Sequence, residues 1–192
     1  MMPELLDQQL FLFLNSINNP FMDKVMYVIT AKLTWVPLYL ALLYIFHKKM
    51  GRKFWLFLII IALSVLFADR GSVLIKNTDE RPRPCHEQAL EGRVHLIGER
   101  CGGRYGFVSS HASNAFNVAL LSLLVIKRRW YTISIVFWAL VVGYSRIYAG
   151  VHYPGDVISG SLFGALIGWS MYSLHGYASE KLLKPGSWFL KE

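Results

Sequence analysis

The sequence predicts an all-α fold: a polytopic transmembrane helical bundle of about five to six helices with an N-terminal interfacial helix. Three observations predict it. Hydrophobic residues make up 54% of the chain and charged residues only 17%, whereas soluble domains carry about 25% charged residues. The apolar excess, a mean hydropathy of +0.38, falls in blocks near the roughly 20 residues that a helix needs to cross a bilayer. Lys and Arg gather at the ends of those blocks. Backbone in lipid must satisfy its own hydrogen bonds, and the blocks are too long for barrel strands, so the spans are helices. The 192 residues suit one domain, 1–192.

The N-terminal segment, 1–20, opens MMPELLDQQ with Glu4, Asp7 and no basic stretch, unlike a cleaved signal peptide. Residues 5–17 mix polar and apolar side chains. They read as a helix lying in the membrane interface, or else as an amphipathic helix packed on the bundle; neither reading bears on the chemistry. Five spans follow, at 24–46, 54–75, 111–126, 131–148 and 154–175. A long polar loop, 76–110, separates the second from the third. No repeat or low-complexity tract interrupts the pattern.

Orientation follows from the short connections. Lys48, Lys49, Arg52 and Lys53, then Lys127, Arg128 and Arg129, then Lys181, Lys184 and Lys191 fall on one side, which is expected to be cytoplasmic. The 76–110 loop then faces outside. It is also basic, with Lys76, Arg81, Arg83, Arg93, Arg100 and Arg104, six cations against ten, and a loop with a ligand to bind accounts for them. The net charge of +8 therefore reflects topology and this loop, not nucleic acid. Cys85 and Cys101 share the loop; a disulfide and two free thiols both remain open. Neither they nor His86 and His95 have zinc-site spacing.

Polar residues suited to phosphate or proton transfer stand at four span ends on the outer side. Lys76 closes the second span, and Arg83 follows in the loop. Ser109, Ser110 and His111 open the third. Ser145 and Arg146 close the fourth, and His152 and Asp156 flank the start of the fifth. Such groups are costly near hydrocarbon and call for partners or a function. Lys and Arg match phosphate oxygens. The start of the third helix adds free N–H groups and a positive dipole end. There Ser109 and Ser110 either donate hydroxyls or cap the helix.

Asp156 lies four residues after His152, with Pro154 suited to a first helical turn between them. The carboxylate can fix the imidazole tautomer and stabilise positive charge as the ring attacks phosphorus. His111 is then the acid for the leaving oxygen and later the base for water. His47, His86, His95 and His175 read as packing or interface residues. No carboxylate cluster suits Mg²⁺; Asp79 and Glu80 read as partners of the neighbouring arginines. No cofactor and no metal are expected.

The strings Lys76-x6-Arg83-Pro84, Val108-Ser-Ser-His111 and Ser145-Arg146-x5-His152-x3-Asp156 resemble the three-part signature of the type 2 phosphatidic acid phosphatase (PAP2) superfamily. The first and third parts match in full. In the second, Val108 and Ser110 stand where the family has Pro and Gly. The resemblance implies that Lys76, Arg83, Ser109 and Arg146 bind phosphate, that His111 is acid and base, that His152 forms a phosphohistidine supported by Asp156, and that no metal takes part. It is greatest to small bacterial members of the family. The expected function is thus removal of phosphate from a lipid phosphate or diphosphate in the bacterial inner membrane, at a site facing the periplasm. Undecaprenyl diphosphate is the expected substrate, with the 1-phosphate of lipid A and phosphatidylglycerol phosphate as alternatives. The expected partners are the lipid substrate and the bilayer. An anion transporter is the reading from another class, weakened by the absence of a repeat.

Overall fold

The structure, a computed structural model, describes residues 2–99 and 101–182. Arg100, Lys184 and Lys191, which entered the charge count, lie outside them. Seven α-helices are present among the described residues: α1 Met2–Ser16, α2 Pro20–Thr30, α3 Val36–Met50, α4 Phe54–Asp79, α5 Ser110–Ile126, α6 Arg129–Tyr148 and α7 Pro154–Leu182. By length and hydropathy Lys32–Asp79, which holds α3 and α4, and α6 and α7 can cross a membrane, and α5 is a shorter apolar helix.

Beyond the extension of α7 from 175 to Leu182, two differences from the sequence expectation bear on the site. The expected first span, 24–46, is broken. Asn19 caps α2 through the Phe21 and Met22 N–H groups, but Ala31 is extended (φ −74°, ψ 126°). The carbonyls this frees are claimed locally. Thr34 Oγ1 donates to Val28 O at 2.6 Å and Trp35 Nε1 to Ile29 O at 2.8 Å, as lipid requires of any broken helix. The second difference is that α4 runs past residue 75 to Asp79 and ends at Glu80 in the left-handed region (φ 55°). The outer loop thus begins at residue 80, and Lys76 is a helical residue.

The chain reverses at Gly51, where φ is 54°, so that Phe46 meets Phe57 edge-on at 5.3 Å. Beside this turn Lys49 Nζ donates to the Val125 and Ile126 carbonyls at 3.3 and 3.0 Å, satisfying the C-terminus of α5. The two basic connections therefore lie at one end of the bundle and the polar loop at the other.

Helix α1 packs with one face and exposes the other. Phe11 and Asn15 are buried, while Leu6, Leu10 and Phe13 are exposed. Asn15 Nδ2 donates to Ile147 O and Tyr148 O and its Oδ1 accepts from the His95 N–H, which joins α1 to the end of α6 and to the outer loop.

The tightest helix contact is α5 against α7. Gly160, Gly164 and Gly168 form a stripe along α7, facing Ser109, Ser113 and Asn117 of α5. A Cβ on Gly160 would fall 2.5 Å from Ser109 O, and one on Gly164 would overlap the Ser113 carbonyl. Small residues at this spacing let two membrane helices approach backbone to backbone. Gly164→Ala is expected to destabilise the bundle by about 1–3 kcal/mol, the usual cost of overpacking, and Gly164→Leu by more. Thermal unfolding of the detergent-solubilised protein checks this; an unchanged Tm for Gly164→Leu would contradict the packing described.

Candidate active site

The outer loop is tied at both ends before it reaches the helices. Cys85 and Cys101 are joined as a disulfide, with Cα atoms 5.9 Å apart. Arg83 N donates to Arg104 O at 3.0 Å and Gly106 N to Arg81 O at 2.9 Å. This short antiparallel crossing delivers Arg81 and Arg83 to the start of α7.

There His152 and Asp156 are buried, 2% and 0% exposed. His152 Nδ1 lies 3.3 Å from Asp156 Oδ2, and its Nε2 lies 3.2 Å from Arg83 Nη1. A guanidinium only donates, so Nε2 is the acceptor and Nδ1 carries the proton given to Asp156. The lone pair of Nε2 thus faces the cavity. Burial pushes the His152 imidazole well below its ordinary value, and the charges of Arg83, Arg146 and Lys76 push it the same way, against a Gly106 backbone hydrogen bond. A neutral ring follows. Gly106 fits because a Cβ there would lie 3.0 Å from Asp156 Oδ2 and 3.3 Å from the Arg83 side chain.

Asp156 is fully engaged. Its Oδ2 accepts from the Tyr153 N–H at 3.0 Å, its Oδ1 from Arg81 Nη1 at 2.9 Å, and its backbone carbonyl from the Ser109 N–H at 3.0 Å. The second arm of Arg81 reaches Asp7 Oδ2 at 2.8 Å, and Asp7 Oδ1 accepts from the Gly155 N–H at 2.8 Å. Burial works against the charge on Arg81, but Asp156 and Asp7 outweigh it and raise its pKa. Arg81 also stacks over the Tyr153 ring, 4.2 Å from its centroid. Asp7 and Arg81 were missed by the sequence reading. Arg81 gave a faint signal, two residues before Arg83; Asp7, 149 residues before Asp156, gave none. Asp79 and Glu80, expected to pair with these arginines, do not.

The remaining expected residues fall around one cavity of about 990 Å³, lined at its outer end by Lys76, Arg83, Ser110, His111, Arg146 and His152. Lys76 Nζ donates to Ser110 Oγ at 2.6 Å, so the hydroxyl standing where the family has glycine holds the lysine. Ser109 does not line the cavity: it is buried and accepts weakly from the Ala112 N–H at 3.5 Å, which is a capping role. Arg146 Nη1 donates to Thr30 Oγ1, while its buried Nε has no partner among the described residues. Inward, the cavity is walled by residues such as Leu42, Phe46, Ile61 and Leu121. A cationic mouth over an apolar shaft fits an anionic head with hydrocarbon tails.

The sequence profile of the PAP2 superfamily matches residues 52–180. A lipid A 4'-phosphatase of Bacteroides thetaiotaomicron is 39% identical over 170 residues, 87% of this chain and 76% of that protein. An undecaprenyl-diphosphatase of Sulfolobus acidocaldarius is 40% identical, but over 63 residues, 33% of this chain and 30% of that protein. The crystal structure of LpxE from Aquifex aeolicus superposes with a TM-score of 0.68 at 26% identity, covering 86% of this chain and 93% of that one.

Two outcomes follow from the geometry. In ¹⁵N spectra of histidine-labelled protein, the resonance lost in His152→Gln is expected to report a neutral Nδ1–H ring unchanged from pH 7.5 down to 5.5. A folded-state value below the ordinary 6.5 means protonation only at lower pH, and a midpoint near 6.5 would contradict the burial described. Asp7→Asn is expected to lower kcat about tenfold, as loss of an outer-shell orienting group does, with little change in KM. An unchanged kcat would show that the link from α1 through Arg81 has no bearing on turnover.

Proposed function

This chain belongs to the PAP2 superfamily, and we propose that it is a lipid A phosphatase acting at the 4'-phosphate, with His152 as nucleophile. The protein is a membrane lipid phosphatase, a phosphoric monoester hydrolase. The observation that carries the finer reading is the 39% identity to a lipid A 4'-phosphatase over 87% of the chain. Undecaprenyl diphosphate, the substrate expected from the sequence, is supported only by a match over a third of the chain. The alternative, a lipid A phosphatase, therefore takes its place, moved from the 1- to the 4'-position.

The chemistry follows from the geometry above. The phosphate monoester enters among Lys76, Arg83 and Arg146, and its oxygens draw the Arg83 guanidinium away from His152 Nε2. The freed lone pair attacks phosphorus, the N–P bond forms and the P–O ester bond breaks. His111 takes up a proton as the bound phosphate offsets the cations around it, and passes that proton to the leaving sugar oxygen. Asp156 holds Nδ1–H and balances the charge that develops on the ring. Water then attacks the phosphohistidine, His111 takes its proton, the N–P bond breaks and inorganic phosphate leaves. The reaction faces the periplasm from the inner membrane, since the Lys48–Lys53 and Lys127–Arg129 clusters lie at the opposite end.

Purified protein in EDTA is expected to release phosphate from lipid A in preference to undecaprenyl diphosphate and phosphatidylglycerol phosphate, and His152→Ala to release none. Preference for undecaprenyl diphosphate would return the substrate to the first expectation. Retained turnover in His152→Ala would overturn the mechanism.

A further inference from the structure

Helix α4 carries Asp69 and Arg70 inside an otherwise apolar stretch, LFADRGSVL. Both line the cavity, as do Lys32, from the turn after α2, and Asn114 of α5. Lys32 and Asp69 lie near enough to act electrostatically on His111 and Lys76, so this group borders the phosphate end. Asp69 lies seven residues before Lys76, about 10 Å deeper along the helix. Asn114 lies about one turn below His111. Beneath them the walls are again apolar, with Ala62, Val65 and Leu66 next on the same face of α4.

Ionisable side chains within a span are expensive and ordinarily paired. Here the side chains of Lys32, Asp69 and Arg70 have no hydrogen-bond or ion-pair partner among the described residues; Asp69 is half-buried, and Lys32 and Arg70 are exposed. The buried Oδ1 of Asn114 is also unpartnered. The cavity is therefore layered: cations for a phosphate, then a polar band, then hydrocarbon walls.

The chemistry of the band selects its occupant. Asp69 only accepts, Lys32 and Arg70 only donate, and Asn114 does both. A second phosphate would be drawn by the cations and repelled by Asp69. A polyprenyl chain would leave all four desolvated and unpaired. A sugar offers hydroxyl and amide groups of both kinds, a few bonds from the phosphate, with acyl chains continuing inward. We infer that Lys32, Asp69, Arg70 and Asn114 form a specificity subsite for the acylated sugar that bears the phosphate. This rests on the lipid A reading above.

The test is the ratio of kcat/KM on lipid A to kcat/KM on phosphatidic acid, a lipid phosphate without a sugar, for wild type, Asp69→Asn and Arg70→Met. Any change at the phosphate end, such as the field of Asp69 on Lys76, acts on both substrates and cancels. Loss of a hydrogen bond to a charged group, about 1.5–3 kcal/mol, corresponds to a fall in the ratio of about tenfold or more, expected in both variants. A ratio that holds within about threefold of wild type overturns the subsite. Asp69→Asn preserves volume, and Arg70→Met keeps the test readable should Asp69→Asn fold poorly. If wild type prefers phosphatidic acid outright, the lipid A reading falls and takes the subsite with it. If wild type prefers lipid A and both variants keep that ratio within about threefold, only the subsite falls.

Discussion

The backbone approach of α5 and α7 is the constraint on which the site depends. For His111 and His152 to act on one phosphate, as proposed, their helix starts must sit side by side. In this fold α7 must therefore carry no side chain where it meets α5. Gly160, Gly164 and Gly168 meet that condition over three successive turns, and the Ser109 N–H donating to the Asp156 carbonyl fixes the register. His111 and His152 then open onto one cavity without either helix bending. The hydrophobic effect supplies little drive between helices in lipid, so packing of this kind sets the geometry.

A second condition is electrostatic. Asp156 is fully buried, and an isolated buried carboxylate would be neutralised rather than charged. Arg81 sets a positive charge against it, and Asp7 in turn engages the other arm of Arg81. The chain of contacts leads from His152 through Asp156 and Arg81 to the N-terminal helix. Helix α1, held by buried Asn15 and Phe11, thus completes with its polar face the support of the His152 ring. The separate Arg83 contact occupies His152 Nε2, so the proposed attack requires an anion that competes for the guanidinium.

Much of this was legible in the sequence, for physical reasons. Spans are read from uninterrupted hydrophobicity, so α4, α6 and α7 were found with errors only at their ends. The histidine and its carboxylate were found because both lie on one helical turn, where spacing alone implies contact. What escaped was long-range or depended on neighbours. Asp7 meets Arg81 only through the folding of α1 onto the bundle. Ser109 and Ser110 are adjacent, and the sequence holds no sign of which one caps α5 and which one meets Lys76. The break at Ala31 was hidden because α2 and α3 together have the hydropathy of one span. Asp69 and Arg70 did leave a signal, two charges inside an apolar window, which the count of spans absorbed.

That break also shapes the cavity. In a continuous α-helix, residues 29, 30, 32 and 35 would spread over roughly 220° of the helix surface. No single groove could touch all four. With Ala31 extended, Ile29, Thr30, Lys32 and Trp35 all line the same space. Thr30 meets Arg146 at the phosphate end, while Trp35 packs against Trp138, two turns of α6 further in. The segment between them passes from the charged mouth to the apolar walls in five residues, with Lys32 at the crossing. A straight helix would give a smoother wall with fewer polar groups, suited to a plain hydrocarbon chain. At the interruption Thr34 Oγ1 and Trp35 Nε1 take up the Val28 and Ile29 carbonyls, and polar groups come to a depth where a polyprenyl tail would have no use for them.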